Sequence, residues 1–250
     1  MLTKMRIALL VSGSGTTMRA ILEATKCGAL PRVEPALIIV SRQDSGAIQK
    51  AIAEDMMPHD ICIIEPKQPA FGEAILDQCY LRGVDFVGQY GWMVKTPAEV
   101  IDRFKGMMVN QHPGPLDPGR PDFGGQGMYG LRVHSARLGY VRGTDPLRLS
   151  PFSAEYHDHF YTEVTAQEVA KEYDQGRLLG TRRLPILPND TPETLQKRAL
   201  REEHKLQIDI LRLFSEGRMK PMSRRIRPLV APEYYGILNA VKQVAIRHYP

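Results

Sequence analysis

The sequence predicts an α/β fold: a doubly wound, mostly parallel sheet with a C-terminal helical extension. Up to about residue 110, short runs rich in Val, Ile and Leu alternate with amphipathic segments, which is the pattern of repeated strand–helix units. Loops containing Gly, Ser and Pro separate these segments. Strands that are connected through helices pair in parallel, so helices are expected on both faces of the sheet.

Each element follows from its local pattern. Apolar runs predict buried strands at 6–11, 33–40, 59–64, 84–89 and 106–110. Apolar positions at helical spacing predict helices at 18–24, 45–55, 70–82 and 97–104. Beyond a stretch rich in Gly and Pro at 114–130, the same patterns predict a helix at 131–138, an irregular region at 140–161, strands at 164–169 and 178–186, and helices at 191–216 and 232–246.

Composition narrows the class of protein. Hydrophobic residues make up 43% of the 250 residues and charged residues 24%, which is ordinary for a globular protein. No apolar run approaches the roughly 20 residues needed to span a bilayer, and the N-terminus lacks a signal-peptide pattern. The three cysteines are widely spaced and form neither a disulfide framework nor a metal pattern. These features predict a cytoplasmic protein without a membrane partner or a bound metal.

The net charge of +5 comes largely from the C-terminal tail. The basic residues there are Arg218, Lys220, Arg224, Arg225, Arg227, Lys242 and Arg247. A basic tail can contact nucleic acid, but the body of the chain shows no basic stripe interleaved with aromatic residues. The charge distribution therefore favours a solvated tail over a nucleic-acid partner.

The most informative motif is Asn110-Gln111-His112-Pro113, which follows an apolar run and precedes the stretch rich in Gly and Pro. Residues two apart in an extended segment point to the same side of the backbone. An Asn amide can stabilise an oxyanion, and a His can move a proton near neutral pH. The pair suits transfer of an acyl-type group; a polar strand end that caps a turn is the alternative.

Two further segments can bind or assist. The loop at 12–17 is built from small residues between a strand and a helix, so it can hold a phosphate at the helix N-terminus, or it is simply a tight turn. Asp174 lies in a turn between two strand-like runs; beside a catalytic His it would orient the ring and stabilise its protonated form. His134 is expected to be a packing or surface residue, and His157-Asp158-His159 a solvated loop rather than a metal site.

Taken together, these motifs resemble the folate-dependent formyltransferase family from about Arg6 to Gly217. The matching segments, in order, are Val11–Thr17, Gly88–Met93, Asn110–Pro113, Tyr173–Gly176 and Glu203-His204. The resemblance implies a Rossmann-like formyltransferase fold. It also implies transfer of a formyl group from 10-formyltetrahydrofolate to the primary amine of glycinamide ribonucleotide in purine synthesis, through a tetrahedral intermediate.

The resemblance also assigns roles to residues. Asn110 would stabilise the oxyanion, His112 would shuttle a proton or act as a cation, and Asp174 would orient His112. Substrate contacts would come from Gly15, Thr16 and Thr17 to the phosphate and from Glu203 to the ribose hydroxyls. The pterin of the folate would lie against Met93, Val94, Lys95 and Thr96.

The domain organisation follows from the same comparison of motifs. We expect a catalytic domain at 1–217, with a phosphate-binding half at about 1–110 and a folate and catalytic half at about 88–217. Residues 218–250 would form a basic extension. The expected partners are the folate and a small phosphorylated amine, and an oligomer is compatible with the sequence.

The chain departs from the family pattern near the acceptor side. The family's Ser-Leu-Leu-Pro after the Asn-x-His-Pro motif is replaced by residues 114–118, and the segments 119–129 and 140–161 are longer than usual. Gln167 stands where the ribonucleotide enzymes often have a His. A different amine acceptor, such as an amino-sugar nucleotide, or hydrolysis of formyl-folate therefore stays open. A non-catalytic relative that binds nucleic acid through its tail is the alternative from another class.

Overall fold

The computed structural model describes residues 3–145, 150–151 and 153–249, and its elements follow the predicted order. The strands are β1 (Met5–Val11), β2 (Val33–Val40), β3 (Ile61–Ile63), β4 (Phe86–Gln89), β5 (Met108–His112), β6 (Tyr161–Glu168) and β7 (Leu178–Pro185). The helices are α1 (Thr16–Lys26), α2 (Gly46–Ala53), α3 (Phe71–Leu81), α4 (Ala98–Arg103), α5 (Leu131–Gly143), α6 (Ala154–His159), α7 (Pro192–Ser215) and α8 (Tyr235–His248).

The strands form a seven-stranded sheet in the order β3-β2-β1-β4-β5-β6-β7. The chain begins in the middle at β1, winds to one edge through β2 and β3, and then returns to the other side of β1 through β4 and β5. The pairings within this set are parallel, whereas β6 and β7 pair antiparallel. The predicted doubly wound, mostly parallel sheet with a C-terminal helix is therefore confirmed.

The chain folds into two compact units. The first unit comprises Met1–Gln111, Glu168–Lys171 and Gln207–Lys220. Its β1 is fully buried from Ile7 to Val11, as expected of a parallel strand covered on both faces. Alternate residues of β1 and β2 pack with α3 and α4 into one apolar cluster, and the Phe86 ring contacts Phe214 at a centroid distance of 4.9 Å.

The second unit comprises His112–Gln167, Glu172–Leu206 and Pro221–Pro250. Here α5 and α8 pack closely. A Cβ added at Gly139 of α5 would lie only 3.0 Å from a Val241 methyl of α8. The irregular region expected at 140–161 is partly wrong: α5 continues to Gly143 and α6 occupies Ala154–His159. Glycines weaken the local helix signal of α5, and packing against α8 supplies the missing stabilisation. Residues 146–149 and 152 of that region lie outside the described residues.

Helix α5 carries two buried polar side chains. His134 is fully buried, and burial lowers its pKa to about 3. Neither of its ring nitrogens has a hydrogen-bond partner within the described residues. Arg137 is also buried, and its Nε donates to the Tyr161 carbonyl at 2.8 Å. The guanidinium of Arg137 lies 5.0 Å from the Phe123 ring centroid and 4.8 Å from that of Tyr161. The helix thus buries a neutral imidazole and a cation held by aromatic faces.

No helix in the described ranges combines the length and the apolarity that a membrane span requires.

The buried His134 should make stability depend on pH. Unfolding exposes an imidazole with a pKa of about 6.5, whereas the folded protein keeps it neutral down to about pH 3. The unfolded state therefore binds more protons in this window, so stability falls as pH drops below about 6.5. Between pH 8 and pH 5, the wild type should lose about 2 kcal/mol more unfolding free energy than His134→Leu.

Urea unfolding at both pH values, followed by circular dichroism, measures this difference. The values at pH 8, where both proteins carry no charge at residue 134, serve as the reference. An identical loss in the two proteins would show that His134 does not contribute.

Candidate active site

The Asn110 and His112 pair lies within β5. The strand was expected to end at residue 110, but it continues to His112. A run of Asn, Gln and His lacks the apolar signal of a buried strand. Strand pairing nevertheless extends into this run, since Asn110 is paired in register with Gln89 of β4. Two residues apart on a strand, the side chains of Asn110 and His112 share one face. The pair thus stands at the carboxyl end of a parallel strand, where open α/β sheets place their ligands.

His112 meets Asp174 in the second unit. The distance from His112 Nδ1 to Asp174 Oδ1 is 3.6 Å, and the two side chains are only 3% and 10% exposed. This separation exceeds a direct hydrogen bond but places a carboxylate beside the imidazole in a site that excludes most water. The structure therefore brings together the two residues that the sequence pairs as proton carrier and orienting carboxylate.

The Asp174 carboxylate is fixed on both oxygens. Gln167 Nε2 donates to Oδ1 at 2.6 Å, and the Gly125 backbone N–H donates to Oδ2 at 2.8 Å. Asp174 itself has a φ of 56°, a left-handed conformation that Asp tolerates in turns. The carboxylate is consequently an acceptor of two donors and cannot rotate without losing them.

A glycine pair brings the loop at 114–130 against this carboxylate. A Cβ at Gly124 would lie 2.6 Å from a Leu116 methyl and 2.8 Å from both Cβ and Oδ2 of Asp174. Gly125 has a φ of +97°, which side chains rarely adopt. Only glycine at 124 lets the backbone reach Asp174 at this distance.

The second ring nitrogen of His112 lies on the side of the ring away from Asp174. Its Nε2 is buried and has no hydrogen-bond partner within the described residues. Buried polar atoms normally find a partner, so this nitrogen suits a reacting group or a water molecule. His112 can therefore exchange a proton at Nε2 while Asp174 lies beside Nδ1.

The loop at 12–17, which we name the phosphate loop after its predicted role, lies in the first unit, after β1. Gly15 has a φ of 70° at the N-cap of α1, and no side chain caps this helix in the described structure. The side chain of Ser45 donates to the Gly13 carbonyl at 2.9 Å, and Lys50 Nζ donates to the Ser14 carbonyl at 2.6 Å. The loop thus combines open backbone N–H groups at a helix start with a nearby ammonium, an arrangement suited to an anion.

The neighbouring threonines differ in exposure. Thr16 is half-buried and Thr17 is buried, so Thr16 is the more accessible of the two hydroxyl groups.

The segment proposed for the pterin follows β4 in the same unit. The Met93 N–H donates to Ser12 Oγ at 2.9 Å, which ties this segment to the phosphate loop. Thr96 is buried and its hydroxyl accepts from Gln89 Nε2. Met93 is 50% exposed and Lys95 is also exposed, so these two residues are the accessible part of the segment.

Glu203 lies on α7 in the second unit and is buried at 4% exposure. The predicted site residues are thus divided between the units: Asn110 and the two binding loops in the first, and His112, Asp174 and Glu203 in the second.

Sequence reasoning missed residues that support the site. Gln167 stood out only as a departure from the family pattern, and Lys242 only as one basic residue of the tail; Gly125 was not singled out. Lys242 of α8 donates to the carbonyls of Asp122 and Gly124 at 3.1 and 2.6 Å. A glycine pair in a long loop is the one signal that could have indicated a close backbone approach. Groups of His, Cys, Asp and Glu suited to a metal ion are absent from the described residues.

Known proteins share both the sequence and the fold. The profile of the family described as Formyl transferase matches residues 5–211. A chloroplastic phosphoribosylglycinamide formyltransferase from Arabidopsis thaliana is 31% identical over 218 residues, covering 86% of this chain and 67% of that protein. The corresponding protein from Vigna unguiculata is 31% identical over 220 residues, covering 86% of this chain and 62% of that protein. The chain therefore spans about two thirds of the length of these plant relatives.

A solved structure agrees with the sequence comparisons. Glycinamide ribonucleotide transformylase 1 from Symbiobacterium toebii superposes with a TM-score of 0.71 at 27% identity, covering 91% of this chain and 95% of that chain. Because the family profile covers most of the sequence, the chain belongs to the formyl transferase family, as its motifs predict.

Proposed function

We propose that this protein transfers a formyl group from 10-formyltetrahydrofolate to the primary amine of glycinamide ribonucleotide. The observation that carries the proposal is the buried pair of His112 and Asp174, in which His112 follows Asn110 by two residues at the carboxyl end of β5. The names of the relatives from Arabidopsis thaliana and Symbiobacterium toebii point to the same acceptor. Membership of the formyl transferase family supports the reaction type.

The residues suit each step of this transfer. The amine attacks the formyl carbon, the carbonyl oxygen becomes negative, and the tetrahedral adduct then releases the folate nitrogen. Asn110 would donate a hydrogen bond to the oxygen as its charge develops. His112 would carry the amine proton toward the leaving nitrogen through its open Nε2. Asp174 would hold the ring and stabilise its protonated form, as a buried carboxylate beside an imidazole does.

The phosphate of the acceptor would bind at Gly15, Thr16 and Thr17. The uncapped start of α1 offers N–H groups, and the Lys50 ammonium adds a positive charge at Ser14. Glu203 would accept hydrogen bonds from the ribose hydroxyls, as the resemblance to the family implies, because carboxylate oxygens are acceptors.

The formyl donor would lie against residues 93–96. Its flat pterin fits backbone N–H and carbonyl groups beside an apolar wall, and the buried Trp92 stacks on Phe71 with ring centroids 6.3 Å apart. The donor is a substrate that leaves after each turnover. We further propose the cytoplasm as the compartment, a catalytic domain at 1–217 with halves at about 1–110 and 88–217, and an extension at 218–250.

An assay with both substrates tests the reaction and its two central residues. His112→Ala should lower kcat at least about 100-fold, because proton transfer by a positioned side chain contributes 100-fold or more. Asn110→Ala should lower kcat by about 100-fold or more through the lost oxyanion donor. Formylated product is measured by mass spectrometry, and His59→Ala, an exposed histidine of the first unit, is the matched control.

Absence of formylated product from the wild type would refute the proposal. Release of formate without an amine acceptor would indicate a hydrolase, and formylation of an amino-sugar nucleotide in preference to glycinamide ribonucleotide would change the acceptor. The longer loop at 114–129 makes that second acceptor worth including in the assay.

Lys50→Met should weaken binding of the phosphorylated acceptor. The KM for glycinamide ribonucleotide should rise about threefold to tenfold, since a partly exposed charge near a phosphate is worth about 1 kcal/mol. The KM for the folate and kcat should change little. Lys105→Met, an exposed lysine of the same unit, is the control.

The effect of Lys50→Met should also shrink at high salt, because screening weakens exposed charges. An unchanged KM for the acceptor would place the phosphate elsewhere.

Gln167→Leu should lower kcat without changing either KM. The leucine keeps a similar volume but removes the donor to Asp174 Oδ1, so the carboxylate loses one of its two holds. We expect a loss of about tenfold, equivalent to roughly 1.4 kcal/mol for a hydrogen bond to a charged group. Steady-state kinetics measure it, with Gln49→Leu at an exposed position as control. A rise in KM at constant kcat would assign Gln167 to substrate binding instead.

A further inference from the structure

The C-terminal segment is tied to the loop at 114–130 within the second unit. Arg225 Nε donates to the Leu116 carbonyl at 2.9 Å, and its guanidinium also pairs with Glu163. The Arg120 guanidinium donates back to the Arg225 carbonyl at 3.3 Å. The loop at 114–130 and the C-terminal extension are therefore joined to each other.

Helix α8 is anchored to the second unit by its buried face and its C-terminal end. Leu238 and Ala245 are buried, and Tyr249 at its end accepts from Arg132 Nε at 2.6 Å through its carbonyl. The Tyr249 hydroxyl donates to Glu193 at 3.1 Å. A helix held at its face and its end can present one side chain at a defined place.

That side chain is Lys242. Its Nζ donates to the carbonyls of Asp122 and Gly124. The Asp122 carboxylate closes the same turn by accepting from the Gly124 N–H at 2.7 Å and from the Asp117 N–H at 2.9 Å. The next N–H along the chain, that of Gly125, is the one that donates to Asp174 Oδ2. The ammonium is thus separated from the catalytic carboxylate by a single peptide group.

Lys242 is partly buried, so its ammonium exchanges part of its hydration for these carbonyl contacts. Burial lowers the pKa of the ammonium, and the charges of Asp122 and Asp174 act in the opposite direction. A lysine that served only solubility would keep its head in water.

We propose that Lys242 is a positioning residue: by fixing the carbonyls of Asp122 and Gly124, it aims the Gly125 N–H at Asp174 and so holds that carboxylate against His112. The role rests on the proposed function, because it acts through Asp174 on the formyl transfer. It assigns the basic C-terminal extension to the architecture of the active site.

Lys242→Met, which keeps the length of the side chain and removes its donor, tests the proposal. The kcat for formyl transfer should fall about tenfold or more, with both KM values unchanged, because displacement of a catalytic group slows chemistry without weakening substrate contacts. Lys242→Arg should recover a substantial part of kcat, since it restores a buried cation with donors. Arg247→Met, at an exposed position of the same helix, is the matched control.

A second readout is independent of activity. Amide hydrogen exchange at Gly125 should become about tenfold faster in Lys242→Met and stay unchanged in Arg247→Met, because exchange reports local opening. This measurement stands even if the wild type forms no product, so failure of the proposed function and failure of the positioning role are distinguishable. Lys242→Gln, a polar variant that is gentler on folding, should give the same two effects.

Three results would overturn the positioning role. One is unchanged exchange at Gly125, and another is a change confined to KM. The third is loss of the folded state in both Lys242→Met and Lys242→Gln by circular dichroism, which would make the lysine a purely structural residue.

Discussion

The arrangement of the second unit around the site depends on the contacts of one group, the Asp174 carboxylate. Burying an ionised carboxylate costs several kcal/mol unless donors and an opposite charge replace its water. Gln167 comes from β6, Gly125 from the loop after β5, and His112 from β5 itself. All three groups must lie within hydrogen-bond or ion-pair distance of the carboxylate in the folded protein. The position of this one group therefore constrains the β6–β7 hairpin, the loop after β5 and the end of β5.

The same constraint explains the residues found in the loop at 114–130, which departs from the family pattern. A loop that must place a backbone N–H on a buried carboxylate needs glycine where it touches, and Gly124 and Gly125 stand there. It also needs its own carbonyls satisfied away from water, since buried backbone groups left without partners are costly. Arg225 and Lys242 supply those donors from the C-terminal segment. Long loop and basic extension are thus parts of one hydrogen-bonded structure.

Much of the fold could be predicted because the information was local. Apolar runs fixed the bounds of β1 and β2 to within a residue, since a parallel strand buried on both faces has a continuous signal. The phosphate loop and the Asn110–His112 pair were also visible, because strand ends that lead into loops are recognisable from sequence. The helix over 154–159 was not, as its short stretch of mixed polar residues carries no helical periodicity.

The supporting residues of the site could not be predicted, because distance along the chain hides them. Lys242 lies 118 positions from Gly124, and no pattern in a sequence specifies such a contact. Basic residues also look alike by composition whether they are solvated or buried, and the tail was expected to be solvated. Lys242 and Arg247 stand at different positions around α8, and only the folded structure shows that Lys242 reaches the carbonyls of Asp122 and Gly124 whereas Arg247 is exposed.

Acidic and basic side chains lie close together around the site. Asp117, Asp122 and Asp174 are all buried or nearly so, and burial raises the pKa of Asp122 while its backbone donors lower it. Three carboxyl groups in one loop and turn would repel one another without nearby cations. Arg120 and Lys242 meet this need, one from the loop and one from α8. Within the second unit, the acidic side chains of the loop and turn and the cations that lie beside them are therefore complementary in charge.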